Sequence, residues 1–312
     1  MTTSRYEKNI ALQPRLIGEI LSSPRPVWMD ELKGRRVFFV GVGTSHHLAE
    51  IATLLWRRHV SPRASAVHSF EFVKAPQAME DGDVVVVLSH RGTKSYTVQS
   101  AAVAAVAGAV TVGITGKGSP WSAGLTHRLE SCELEDTGAF TKSMTSTLAW
   151  IVRWIDAPAL KQGLLDACAA LEGGPAFPPI TAEADVILLG DLERQWLARE
   201  VSLKLQEAAY LKARPFGLEE FLHGPRLSAD AKSLVIAFST PCEPRWAAVR
   251  EYLKDIEVPL FEVSAEGEGS WLRQLFWGQR LTAVWCRELG IDPDALRAGD
   301  PRYKRAREAL SL

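Results

Sequence analysis

The sequence predicts an α/β protein in which two parallel sheets are each covered by helices. Short, continuous apolar runs alternate with helical patterns, which is typical of parallel strands buried on both faces. The order of these elements also occurs twice: residues 37–41 (VFFVG) are similar to 186–190 (VILLG), and 86–89 (VVLS) to 235–239 (VIAFS). We therefore expect a duplicated α/β module.

An amphipathic helix opens the first half, and three buried strands follow it. The first strand ends in glycines before a helical pattern, and the second strand repeats this strand, turn and helix unit. The predicted elements are a helix around Ile10 to Leu21, strands Arg36–Val40, Val84–Leu88 and Val110–Ile114, and helices His47–Trp56 and Tyr96–Ala107.

A stretch rich in Gly and Pro at 173–179 (GGPAFPP) interrupts the pattern and separates the two halves. We assign residues 1–158 to an N-terminal module with its lead-in helix, and residues 159–312 to a C-terminal module with a tail. The second series of elements comprises strands Asp185–Leu189, Ser233–Phe238 and Val258–Val263 and a long helix Trp271–Leu289.

Composition excludes several classes of protein. The 312 residues carry a formal net charge of −1, so no basic field favours nucleic acid. No apolar run reaches membrane-spanning length, and the first residues lack the apolar stretch of a signal peptide, so we expect a cytoplasmic protein without a membrane partner. The four cysteines show no C-x-x-C spacing, so we expect free thiols, no metal site and no cofactor.

Two loops are candidates for binding an anion. Each lies where a strand precedes a helix, so backbone N–H groups point outward at the positive end of the helix. The alternative for each loop is that its Ser or Thr only caps the helix. The candidate binding residues are Gly43, Thr44 and Ser45 in the first loop and Ser89, His90, Arg91, Thr93 and Lys94 in the second.

A dinucleotide-binding fingerprint is incomplete in this chain. Gly41 and Gly43 occupy its first two glycine positions, but His46 occupies the third. This argues against a Rossmann-type oxidoreductase.

Segment 204–225 combines three side chains that can transfer protons. Lys204 and Glu207 are three residues apart, so they share one helix face, whereas His223 precedes the breaker Gly224-Pro225 and lies on a loop or helix end. The alternative is a solvated surface pair with an incidental histidine.

These segments, in this order, resemble the sugar isomerase (SIS) family, in particular its tandem-module members such as the isomerase half of glucosamine-6-phosphate synthase. The lead-in helix, both loops and the segment from Lys204 to Pro225 match the family pattern. Residues 135–145 (EDTGAFTKSMT) resemble the loop that closes over the sugar, which adds Gly138, Thr141 and Lys142 as candidate binding residues. The alternative for Lys142 is a surface lysine on a loop.

The resemblance implies two tandem SIS modules of flavodoxin-like three-layer architecture that bind a sugar phosphate. It also implies that Glu207 moves a proton between C1 and C2 through an enediol-type intermediate. Lys204 would then steady the hydroxyls or the oxyanion. His223 would assist ring opening, usually in the site of a neighbouring subunit, so a homodimer is implied.

The sequence departs from the family pattern at two places. Arg91 and Lys94 replace the usual Ser and Thr of the phosphate loop. The reactive tail lysine does not align, so either Lys304 substitutes for it or the tail is a docked helix with a solvated basic face, which we favour.

Three functions remain open at this point. The first is an enzyme that isomerises hexose phosphates or deaminates amino-hexose 6-phosphates. The second is a sugar-phosphate sensor without chemistry, against which the presence of Glu207 and His223 argues. The third is an aminotransferase subunit that receives ammonia from a separate glutaminase, because no glutaminase sequence precedes the modules.

Overall fold

The computed structural model describes residues 3–75, 77–121 and 123–310. Its strands are β1 Val37–Gly41, β2 Ala64–His68, β3 Val84–Ser89, β4 Val110–Lys117, β5 His127–Glu133, β6 Asp185–Gly190, β7 Lys212–Gly217, β8 Ser233–Ser239 and β9 Leu260–Ser264. Its α-helices are α1 Arg5–Ser22, α2 Trp28–Leu32, α3 Thr44–His59, α4 Ser69–Lys74, α5 Ser95–Val106, α6 Lys142–Ile155, α7 Pro158–Ala169, α8 Glu193–Ala208, α9 Leu218–Leu222, α10 Arg245–Asp255, α11 Trp271–Glu288 and α12 Pro301–Leu310.

The first sheet has five parallel strands in the order β2-β1-β3-β4-β5. Every residue of β1 and β3 is buried, as their apolar runs predict. This sheet belongs to a compact unit formed by residues 15–136, 140–161 and 297–312. The chain runs from β1 to β2 on one side of β1 and then returns to form β3 on its other side, so the carboxyl end of β1 is a topological switch point.

The second sheet has four parallel strands in the order β7-β6-β8-β9. It belongs to a second compact unit of residues 1–14, 137–139 and 162–296. Here β6 lies between β7 and β8, so the second sheet repeats the switch-point order of the first. The predicted fold class of two parallel α/β sheets is confirmed, whereas the module boundary at residue 158 stays a prediction.

All six predicted strands are present, and three further strands are β2, β5 and β7. All three lie at the edges of their sheets. These three edge strands pair on one side only and carry polar residues, so they lack the continuous apolar run that identified the central strands and the edge strand β9. Among the described residues, no helix is both long and apolar enough to cross a bilayer. The cysteines are unpaired, as expected: Cys132, Cys168, Cys242 and Cys286.

Candidate functional site

The first anion loop joins β1 to α3 and requires two glycines. A Cβ atom on Gly41 would lie 2.5 Å from the backbone carbon of Ser45, so only glycine allows the helix to begin so close to the strand. Gly43 is the N-cap of α3 and has φ 56°. Thr44 and Ser45 therefore lie inside the first turn, partly exposed, and neither is the N-cap residue. The alternative that Thr44 or Ser45 serves only as the N-cap of this helix is therefore excluded.

The second anion loop joins β3 to α5 through a tight turn. Gly92 N donates a hydrogen bond to Ser89 Oγ at 3.2 Å. Gly92 has φ 65°, and a Cβ there would lie 2.4 Å from Ser119 Oγ, so the turn needs glycine. Thr93 and Lys94 are exposed, and Lys94 is the N-cap of α5 without a side-chain cap. Since β1 and β3 are paired neighbours, both loops lie at the same carboxyl edge of the first sheet.

His90 holds the segment that follows β5. Its Nε2 accepts a 2.8 Å hydrogen bond from the backbone N of Glu135, and its ring makes an edge contact with Phe140 at 5.2 Å. Burial, together with the charges of Arg91 and Lys142, lowers the pKa of His90 to about 4. The imidazole is therefore neutral near pH 7, with its proton on Nδ1 because Nε2 accepts.

Arg91 and Lys94 differ in their surroundings. The Arg91 guanidinium lies over the Phe140 ring at 5.1 Å, and its Nη2 donates to the Glu135 carbonyl at 3.4 Å. Arg91 thus contacts the segment after β5, whereas the exposed Lys94 has no ion pair within the described part of the chain. Both cations still lie on the anion loop itself.

Glu135 fixes the start of α6. Its carboxylate accepts hydrogen bonds from Ser143 N at 2.8 Å and Thr141 N at 3.1 Å, and the residue is only 3% exposed. A carboxylate at a helix N-terminus is favoured by the helix dipole. Lys142 is the first residue of α6 and is 9% exposed, so it is not a lysine on a surface loop.

Gly138 belongs to the unit of the second sheet. A Cβ atom at this position would lie 1.6 Å from Leu296 Cδ1, so close packing accounts for this glycine.

The acid and base groups on α8 form a buried charge cluster. Lys204 Nζ donates to Glu207 Oε2 at 2.7 Å and lies 3.4 Å from Glu200 Oε1. The Lys204 side chain is 1% exposed and that of Glu200 is fully buried, whereas that of Glu207 is 34% exposed. The predicted pair therefore exists, but it is not a solvated surface pair. Of the three groups, the Glu207 carboxylate is the one open to a ligand.

Tyr6 of the lead-in helix α1 lies close enough to this cluster for its carboxylates to affect the pKa of the Tyr6 hydroxyl. Burial raises the pKa of its hydroxyl well above the ordinary value, and the carboxylates of Glu200 and Glu207 raise it further. The phenol is therefore protonated throughout the physiological range.

His223 is placed on a different element from Lys204 and Glu207. Strand β7 and the short helix α9 follow α8 before His223 is reached, and His223 lies at a helix end, which is one of the two expected positions. His223 ends α9, its side chain is 77% exposed, and its Nε2 lies 3.2 Å from Glu219 Oε2. The exposed ring is thus available at the surface.

The tail forms helix α12. Lys304 lies on it and is exposed, as are its immediate neighbours. At its start, the Arg302 guanidinium lowers the pKa of Asp300 to about 2. A helix with a solvated basic face was expected and is present, whereas its docking stays a prediction, because every side chain of α12 that the structure describes is exposed.

Sequence reasoning missed Glu200 and the capping role of Glu135. Glu200 is four residues before Lys204, so helix spacing alone could have identified it. The contacts of His90 and Arg91 depend on where the chain returns after β5, for which no local pattern exists.

Comparisons with known proteins come from sequence and from structure. The model of the SIS domain family matches residues 32–153. The glutamine–fructose-6-phosphate aminotransferase (isomerizing) of Aquifex aeolicus is 24% identical over 272 residues, which are 80% of this chain and 45% of that protein. Its counterpart from Zymomonas mobilis is 26% identical over 266 residues, 75% of this chain and 44% of that protein. The chain thus spans about half the length of the curated relatives it matches.

Solved structures share the fold along nearly the whole chain. Glucosamine-6-phosphate deaminase from Thermotoga maritima has a TM-score of 0.72 at 19% identity, covering 94% of this chain and 97% of that one. Tagatose-6-phosphate ketose/aldose isomerase from Escherichia coli has a TM-score of 0.73 at 18% identity, covering 93% and 95%. The C-terminal domain of the aminotransferase from Francisella tularensis has a TM-score of 0.77 at 16% identity, covering 94% and 98%.

Proposed function

We propose that this chain, whose residues 32–153 match the SIS domain family, isomerises or deaminates a hexose or amino-hexose 6-phosphate. The step common to both reactions is transfer of a proton between C1 and C2 of the open-chain sugar. The isomerase and the deaminase among the similar structures support this reaction class.

The charge cluster on α8 is the observation that carries this proposal. A carboxylate within reach of a carbon next to a carbonyl can act as its general base. Glu207 is held through Lys204, which is itself held by the buried Glu200, so the orientation of the base is fixed before substrate arrives. The ammonium of Lys204 would stabilise the negative oxygen that develops in an enediolate.

The two loops at the carboxyl edge of the first sheet support a phosphate site. We propose that backbone N–H groups and hydroxyls of Thr44, Ser45 and Ser89 hold the phosphate. Arg91 and Lys94 would add positive charge at the same loop.

We further propose that the protein works as a homodimer. His223 is exposed and paired only with Glu219 among the described residues, so it is free to act at the surface of a neighbouring subunit. Its role there would be to transfer a proton during ring opening.

Similarity to aminotransferases favours one alternative. These relatives are named as enzymes that both transfer an amino group and isomerise the sugar, and this chain spans about half of their length. In this alternative, the chain would use ammonia from a separate glutaminase chain.

The test is incubation in D2O with a panel of hexose 6-phosphates and 2-amino-hexose 6-phosphates. Deuterium at C1 or C2 is followed by NMR and ammonia by a coupled assay. Exchange without ammonia supports the isomerase, and exchange with ammonia supports the deaminase. Amino-sugar formation only after ammonium is added supports the aminotransferase subunit. If no sugar exchanges but one raises the Tm, the protein is a sensor and the proposal is wrong.

A further inference from the structure

A second cleft lies at the carboxyl edge of the second sheet, within the unit that contains this sheet. Its volume is about 490 Å³, which is within the usual range for small-molecule sites. Gly190 at the end of β6, Gly217 at the end of β7 and Thr240 just after β8 all line it. Because β6 lies between β7 and β8, the cleft occupies the switch point of this sheet, where open α/β sheets bind ligands.

The loop that borders this cleft occupies the same place in its sheet as the first anion loop, and Leu192 stands where that loop has Gly43. Leu192, the N-cap of α8, has φ 44° and ψ −121°, and Gly43, the N-cap of α3, has φ 56° and ψ −129°. A leucine in this left-handed conformation is strained, because its Cβ atom clashes with the backbone. Its side chain is nevertheless 58% exposed and lines the cleft, so it contributes no buried packing that would offset the strain.

The charge of the cleft is opposite to that of the second anion loop, at the carboxyl edge of the first sheet. Its lining carries four carboxylates, on Asp191, Glu219, Glu220 and Glu243, and one guanidinium, on Arg245. The second anion loop carries two cations, Arg91 and Lys94, and no carboxylate. Arginines pair with Asp191, Glu219 and Glu220, so among the described residues of the cleft the unpaired charge is that of Glu243, which repels a phosphate and attracts a cation.

The carboxylates differ in how far their hydrogen-bonding capacity is used. Glu219 pairs with Arg245 and His223, and Glu220 pairs with Arg199. Glu243 accepts one hydrogen bond, from Arg245 N to its Oε1 at 2.9 Å, and its Oε2 has no partner among the described residues. Glu243 can therefore accept a hydrogen bond from a ligand.

Asp191 supplies fixed negative charge beside Glu243. Its Oδ2 accepts a 2.8 Å hydrogen bond from Trp246 Nε1, and its Oδ1 lies 3.6 Å from Arg194 Nη1. The carboxylate cannot turn away from the cleft without breaking the bond to the buried Trp246.

We propose that this cleft is a second ligand site, separate from the phosphate loops, for a small unphosphorylated amine that carries hydroxyl groups. The protonated amine pairs with Glu243 in the field of Asp191. Leu192 and Leu218 contact the apolar face of the ligand, and Thr240 and Gln195 offer hydrogen bonds to its hydroxyls. The site does not depend on the function proposed for the first sheet.

Calorimetric titration tests the proposal with D-glucosamine as the cationic probe and N-acetyl-D-glucosamine as its neutral match. The expected result is saturable binding of D-glucosamine to the wild-type protein. Affinity should be at least about tenfold lower for N-acetyl-D-glucosamine, and for Glu243→Gln with D-glucosamine, because a charge-assisted hydrogen bond is lost. Arg91→Ala should bind D-glucosamine like the wild type. No saturable binding, equal affinity for both sugars, or displacement by fructose 6-phosphate would overturn the proposal.

Leu192→Gly provides a variant in which weaker binding cannot be explained by a loss of stability. Glycine relieves the strained backbone, so the Tm should rise, while the loss of the apolar contact should weaken D-glucosamine binding several-fold. A higher Tm with unchanged affinity would contradict the role of Leu192 in ligand binding.

Discussion

Lys204→Met tests whether the buried charge cluster on α8 is held together by its single cation. Methionine keeps the length and apolar stem of lysine but removes the ammonium. Glu200, whose side chain is fully buried, is then left without the cation that lies 3.4 Å from it. Removing one partner of a buried ion pair typically costs about 3–5 kcal/mol, because an uncompensated charge stays behind. For 312 residues with an unfolding entropy of about 2.1 cal/mol/K each, that corresponds to a fall in Tm of roughly 5–8 °C.

Thermal unfolding followed by circular dichroism measures this effect, with two comparison variants. Lys204→Met combined with Glu200→Gln removes both charges and should recover much of the lost Tm. Lys117→Met removes the cation of a surface pair with Glu133, 3.1 Å apart and with both side chains largely exposed, and should leave the Tm nearly unchanged. If Lys204→Met behaves like Lys117→Met, or if the double variant is no more stable than the single one, the cluster does not have the energetics described.

Three further predictions concern the first sheet. Burial lowers the pKa of His90 from 6.5 to about 4, so its contribution to stability is complete above pH 6.5 and is lost as the pH falls towards 4. In urea unfolding from pH 7 to 4, His90→Gln should therefore lose less stability than the wild type, by up to about 3 kcal/mol, and parallel curves would contradict this. Glu135→Ala removes the acceptor at the N-terminus of α6 and should lower the free energy of unfolding by about 1–2 kcal/mol at pH 7, whereas an unchanged urea midpoint would contradict the capping role. Arg91→Ala should weaken binding of a hexose 6-phosphate by about tenfold or more in calorimetry while leaving binding of the neutral hexose unaffected. Equal losses of affinity for both sugars would show that Arg91 does not bind the phosphate group.

Five of the six strands that sequence identified are central strands, which pairing and burial constrain most, and the sixth is the edge strand β9. β1 and β3 are buried along their whole length, so nearly every position requires an apolar side chain. The edge strands β2, β5 and β7 tolerate polar residues, and β7 even contains Pro215. Their existence follows from the need to complete each sheet, which is a property of the whole chain.

The candidate site divides in the same way. The contact between Lys204 and Glu207 follows from helix spacing alone, so sequence predicted it correctly. The burial that turns this pair into a fixed cluster depends on how α8 packs against α11, which spacing does not reveal. Similarly, the position of His90 after a strand was evident, but its bond to Glu135 joins residues 45 positions apart in the chain.

Deuterium exchange by Glu207→Gln is the most direct test of the central claim that Glu207 is the general base. The variant is incubated in D2O with the sugar phosphate that exchanges most rapidly with the wild type, and binding of the same sugar is measured by calorimetry. Glu251→Gln, on an exposed position of α10, is the matched control and should exchange like the wild type. The account predicts that Glu207→Gln binds the sugar with nearly unchanged affinity but loses exchange by about two orders of magnitude or more. Exchange at the wild-type rate would show that another group moves the proton.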